Sequence, residues 1–184
     1  MAWNKDHKQQ SRQRILDAAA SLFSQRGFDG VGIDQVMSEA GMTRGAFYSH
    51  FQSKSELYRH AMSQAAHRMF RQVQPDDGWQ FDRRRLIEGY LSDPHVNSDG
   101  VGCPLAFLIT DVAQQQPDIR DTYTALFANM AERFTQDSPE QRQNVLQNMV
   151  MMIGGVAIAR ALSEPALKQE VLQAVRSALE AEAS

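Results

Sequence analysis

Residues 27–58 read GFDGVGIDQVMSEAGMTRGAFYSHFQSKSELY. Ile33, Val36, Met37 and Ala40 recur at helical spacing, which predicts a short helix from Ile33 to Ala40. Gly41 ends it, because glycine enters the left-handed conformation after a helix without a Cβ clash. Thr43 then stands where a hydroxyl caps a second helix running to Phe51. Phe47 and Phe51 lie one turn apart and face inward, while Arg44, Tyr48 and His50 project elsewhere. Gly45 leaves room for another surface to approach the backbone. Ser53, Lys54 and Glu56 form a capping-box arrangement that opens a third helix.

Helix, tight turn, helix is the shape whose second member enters the DNA major groove. Arg44 suits a base edge or a phosphate, Tyr48 and His50 bring short-range donors, and Lys54 adds charge at a helix start. The same spacing suits an ordinary helical hairpin with a solvated face. The charge distribution bears on the choice. Net charge is −3, yet residues 1–58 carry seven Lys and Arg against six Asp and Glu. Lys5, Lys8, Arg12 and Arg14 cluster at the N-terminus. They read either as an arm along the phosphate backbone or as a frayed, solvated end.

With 184 residues and 42 % hydrophobic content, the chain can bury a sizeable core. Strand-like alternation is nearly absent, so the expected class is all-α with about nine helices. Cys103 alone cannot build an intrachain disulfide or a cysteine metal site, which implies a reducing compartment. No signal peptide and no membrane span are read, so a cytoplasmic location is expected. The five histidines lack metal-site spacing, and no phosphate loop, nucleophile elbow or paired-carboxylate motif occurs. No catalytic residue, metal or cofactor is therefore expected.

Ser11 is read as the cap of a first helix to Arg26, with Ile15, Ala18, Ala19, Leu22 and Phe23 on its buried stripe. A long helix from Ser53 to Val73 joins the two halves of the chain. Gln74–Gly78 reads as a break, residues 83–91 as a helix and Ser92–Gly100 as a loop. Pro104–Gln115 and Asp118–Thr135 follow as helices. In the helix from Ser138 to Leu162 apolar residues cover nearly the whole circumference, so one face needs a partner. Met149, Met152, Ile153 and Val156, with Leu172, Val175 and Leu179 of the last helix, are assigned to a two-fold, four-helix dimer interface. A monomer's central core helix is the competing reading. Cys103 begins a helix, where a thiol is activated, and His95 lies eight residues away; a thiol- or electrophile-responsive role is one alternative.

TRGAFYSHFQSKSELY, with IDQVMSEAGM before it, resembles the recognition-helix region of TetR-family bacterial transcriptional regulators. The resemblance covers roughly the first 60 residues. It implies a helix-turn-helix DNA-binding domain over 1–55 and a helical ligand-binding and dimerisation domain over 56–184. Thr43, Arg44, Gly45, Tyr48, His50 and Lys54 match family positions that touch DNA. Val31 and Gly32 depart from the Thr or Ser common there, so a phosphate contact at Ile33 and Asp34 would rest on main-chain amides. The resemblance further implies a homodimer on a palindromic operator in double-stranded DNA. It also implies a cavity for a small apolar or aromatic effector that releases a repressor. Met69, Phe70, Trp79, Tyr90, Cys103, Phe107, Tyr123 and Phe127 are the candidate lining residues. A ligand-blind regulator whose second half only dimerises is the other alternative.

Overall fold

The computed structural model describes residues 2–73, 83–97, 101–135 and 139–181. Among these, every regular element is a helix: α1 Ala2–Arg26, α2 Ile33–Glu39, α3 Arg44–Phe47, α4 Lys54–Val73, α5 Arg83–Tyr90, α6 Asp93–Val96, α7 Pro104–Phe107, α8 Ile109–Val112, α9 Pro117–Phe134, α10 Pro139–Ala161 and α11 Pro165–Ala181. The break at Gln74–Gly78, Trp79 and the Ser138 cap lie outside the described residues.

Four of these boundaries differ from the expected ones. α1 continues N-terminal to Ser11, which is a buried mid-helix residue, because no Gly or Pro interrupts the preceding turns. α3 has four residues, with Tyr48, Ser49 and His50 continuing as turns up to Phe51. Ser92-Asp93-Pro94 starts the short helix α6 rather than a loop, with proline in the first turn where its missing N–H costs nothing. The expected helix over residues 104–115 is divided at Leu108 (φ −112°, ψ 5°). The Leu105 carbonyl, which a continuous helix would give to the Ile109 N–H, instead accepts the Tyr123 hydroxyl at 2.7 Å.

Two cores form. The N-terminal one centres on Ile15, Phe23, Val36, Met37, Phe47, Phe51, Leu57 and Tyr58. Leu108, Val112 and Ile119 join it from the second half, so α8 and the start of α9 sit against the N-terminal helices. The other core is built by α5, α7, α9, α10 and α11 around Leu86, Tyr90, Leu105, Met149, Val156 and Leu172.

Most of the residues assigned to the interface on α10 and α11 are covered by the chain itself. Met149, Met152, Ile153, Val156, Leu172 and Leu179 are buried within the chain, and Val175 packs against Gly155, where a Cβ would come 2.9 Å from Val175 Cγ2. They belong to the second core, which α10 and α11 build together with α5, α7 and α9. The residues left uncovered on the opposite face are Val150, 63 % exposed, Ile158, 54 % exposed, and Leu167 at the start of α11. Gly154 lies between Val150 and Ile158 at helical spacing, with open space where its Cβ would be.

Candidate nucleic-acid interface and effector cavity

α2 and α3 are set by a short series of local devices. Gly32 precedes α2 in extended backbone, and its N–H donates to Gln35 Oε1 at 2.8 Å, so the helix start is closed from inside the first turn. At the other end Gly41 adopts φ 63°, which turns the chain. Arg14 Nη2 donates to the Ala40 carbonyl at 2.6 Å, placing a cation on the last carbonyls of α2. Thr43 is the N-cap residue of α3, yet its hydroxyl makes no capping bond. The Ser53 hydroxyl accepts the Glu56 N–H at 3.0 Å, while the Glu56 carboxylate accepts the Gln52 N–H at 2.7 Å. The first bond is the expected cap, and the reciprocal one falls one residue before it, on Gln52.

Phe47 and Phe51 anchor α3 in the core, with ring centroids 5.9 Å apart. Thr43, Arg44, Gly45 and Tyr48 are left exposed together, and Tyr48 is 61 % open to solvent. Arg44 Nη1 donates to Asp34 Oδ2 at 2.7 Å, linking α3 to α2 across the turn. Ile33 is half-buried against the N-terminal core, so of the two residues at the start of α2 only Asp34 faces outward. His50 is half-exposed. Partial burial, then the positive charges of Lys8 and Arg12, lower its pKa below the ordinary value, so it is a neutral donor at physiological pH. Lys54 lays its ammonium 4.3 Å from the Phe28 ring centroid. The N-terminal basic cluster is not a uniform arm: Arg14 caps α2 and Arg12 lies 4.8 Å from the Phe51 ring centroid, while Lys8 is exposed on α1.

One side chain outside this unit grips it. Asp111 of α8 accepts the Phe28 N–H at 3.0 Å and the Tyr58 hydroxyl at 2.6 Å. A Cβ on Gly27, whose φ is 68°, would come 2.5 Å from Asp111 Oδ1. Only glycine fits that turn against the carboxylate. Nothing in the sequence spacing singled out Asp111, since its partners lie 83 and 53 residues away.

A cavity of about 570 Å³ opens between α4, α7 and α9. Met69, Phe70, Cys103, Leu105, Leu126 and Met130 line it, and His67, Asn129, Glu132 and Arg133 add polar groups. Arg133 holds its guanidinium 4.8 Å from the Phe70 ring centroid. Of the expected lining residues, Met69, Phe70 and Cys103 meet at this cavity. Tyr90, Phe107, Tyr123 and Phe127 belong to the packing. Tyr90 is fully buried and donates to Cys103 Sγ at 3.3 Å. Phe107 lies over Gly102 and beneath Arg160, whose Cζ is 3.6 Å from its ring centroid. Tyr123 is tied to Leu105, and Phe127 packs against the second core. The polar residues were missed, although Leu126, Asn129, Met130 and Arg133 follow one helical stripe on α9.

Cys103 is fully buried, and burial raises its pKa above the ordinary thiol value despite the Tyr90 bond. His95 lies against the Tyr90 ring, centroids 4.7 Å apart, and desolvation with the nearby Arg160 charge lowers its pKa to about 4.

Residues 15–61 match the family described as bacterial regulatory proteins, tetR family. The HTH-type transcriptional regulator AcrR of Shigella flexneri is 46 % identical over 54 residues, 29 % of this chain and 25 % of that protein. SrpR of Pseudomonas putida is 32 % identical over 87 residues, 47 % of this chain and 41 % of SrpR. The chain thus spans between a quarter and about two-fifths of these relatives' length. Solved structures share the fold far more extensively. A TetR transcriptional regulator from Chloroflexus aurantiacus superposes with a TM-score of 0.74 at 20 % identity, covering 94 % of this chain and 95 % of that one. A regulator from Saccharomonospora viridis in complex with choline gives 0.68 at 17 % identity, covering 94 % and 96 %. The proteins resembled are transcriptional regulators rather than enzymes.

Proposed function

We propose that this chain, whose residues 15–61 match the tetR family of bacterial regulatory proteins, is a homodimeric, DNA-binding transcriptional repressor released by a small molecule. The observation that carries the reading is the face of α3. Arg44, Gly45 and Tyr48 stand exposed on a turn fastened beneath by Phe47 and Phe51. A large aromatic held out in water one helical turn from an arginine has little to do for the fold and much to offer a phosphate or base edge. Thr43, with its hydroxyl unused by α3, and His50, as a neutral donor, extend that face. The domain division at 55/56 is part of this proposal, with the first turns of α4 completing the N-terminal core.

Dimerisation is supported by the uncovered face of α10 and α11, where Val150, Ile158 and Leu167 leave an apolar surface in water. A two-fold pair would present two α3 turns to a palindrome. The cavity supports an effector of apolar body and polar end: the thioether, aromatic and leucine side chains would take the body, and Asn129, Glu132 and Arg133 the end. A related fold holding choline supports the view that such a bundle can house a small molecule. The effector must favour the form that does not bind DNA, since equal affinity for both forms shifts nothing.

The test is an electrophoretic shift with duplexes enriched from a randomised pool. Tyr48→Ala is expected to lose about tenfold or more in affinity with an unchanged circular-dichroism spectrum, as its ring is largely outside the core. Undiminished binding by that variant would refute the assignment of α3 as the reading element.

A further inference from the structure

The Asp34–Arg44 pair is an odd feature of a surface that meets a polyanion. It joins α2 to α3 at 2.7 Å with both side chains more than half exposed, 64 % for Asp34 and 61 % for Arg44. An exposed pair of this kind contributes almost nothing to stability, so the fold gives no reason for it. It also cancels the arginine charge locally, which weakens Arg44 as a counter-ion for phosphate. What the pair does supply is geometry. The carboxylate bonds Nη1, and on a planar guanidinium the Nε and Nη2 N–H groups form a separate edge that this bond does not use. Two parallel N–H donors in one plane match the O6 and N7 acceptors of guanine in the major groove. A long side chain already held in place before binding also loses less rotamer freedom when it meets a base.

We propose that Asp34 is a positioning residue whose carboxylate holds the Arg44 guanidinium so that its opposite edge reads a guanine. The proposal rests on α3 being the DNA-reading element and names the base that element selects. Asp34 itself touches no DNA in this arrangement, which replaces the phosphate contact expected at the start of α2.

The experiment is selection from a randomised duplex pool by the wild type, Arg44→Ala, Asp34→Ala and Asp34→Asn, each checked for fold by circular dichroism and thermal melting. The wild type is expected to enrich a G·C pair at one symmetric position per half-site. Arg44→Ala should lower that preference by about 5- to 150-fold, the range for one bidentate arginine–guanine contact, and leave the other positions intact. Asp34→Ala should weaken the same position by about 3-fold or more, with affinity for unselected duplex held or increased. Asp34→Asn keeps an acceptor without the charge and should restore part of the preference. An unchanged G·C preference in Asp34→Ala, or a loss spread evenly over the site, would overturn the proposal. So would identical behaviour of the Ala and Asn variants, which would mark Asp34 as a mere repulsive charge. If the wild type itself enriched no sequence, the DNA-reading premise would fall as well, and the two failures are told apart by that control.

Discussion

At the scale of single residues, the same residue type takes opposite roles according to what surrounds it. Phe23 and Phe51 are almost fully buried, Phe23 lying edge-on to Tyr58 with centroids 4.7 Å apart. Truncating either to Ala is expected to cost about 3–5 kcal/mol, read as a lowered denaturant midpoint, since a cavity would replace a ring in a small core. Tyr48, one residue from Phe47, is open to water and its loss should leave that midpoint unmoved. His95 gives a pH dependence with a definite sign. Its pKa is about 4 in the folded chain against an ordinary 6.5, so the unfolded chain binds more protons between those values. Stability should therefore hold above pH 6.5, fall as pH drops toward 4, and level off below. The total loss is at most about 3 kcal/mol by linkage. Urea titrations of the wild type and His95→Gln across that range check it: the variant's curve should be flatter there. Equal slopes would show that His95 is not held neutral by its surroundings.

At the scale of elements, Asp111 ties the second half of the chain to the reading unit through the Phe28 N–H and the Tyr58 hydroxyl. Asp111→Ala leaves both donors without that acceptor, an expected cost of about 2 kcal/mol. Amide exchange should locate it, with the Phe28 N–H exchanging faster than in the wild type; protection unchanged at Phe28 would show the clasp to be dispensable. This link stands beside α4, which sequence reading took as the connection between the halves. Local devices were legible from the sequence: Gly41, Ser53, Glu56 and the Phe47–Phe51 pair act within a few residues of themselves. The clasp at Asp111 and the division of the helix at Leu108 depend on partners brought close only by folding, so spacing carries no trace of them. The cavity was half legible. Met69 and Phe70 stand out by size, but Asn129 and Arg133 share a cavity with them only once α9 packs against α4.

At the scale of the whole molecule, α10 shows why a helix apolar on all sides defeats a pattern argument. Its sequence announces that two faces must be covered without saying which one the chain's own α11 takes. The structure assigns Met152 and Val156 to the intramolecular face and leaves Val150 and Ile158 outside. The two faces predict different failures. Met152→Ala should lower stability by about 2–5 kcal/mol, as for other buried truncations. Ile158→Lys should leave the fold intact, give a single-chain species in sedimentation equilibrium and weaken operator binding; a variant that stayed dimeric would place the contact elsewhere. Pairing matters because one short reading helix makes few base contacts, and a second copy on the same duplex multiplies its affinity. Hydroxyl-radical footprinting of the purified chain on its selected duplex tests that arrangement. The expected result is two equivalent protected stretches on one side of the duplex, separated by about 10 base pairs or a multiple of it, both lost with Tyr48→Ala. A single protected stretch, or a pair that survives Tyr48→Ala, would contradict it.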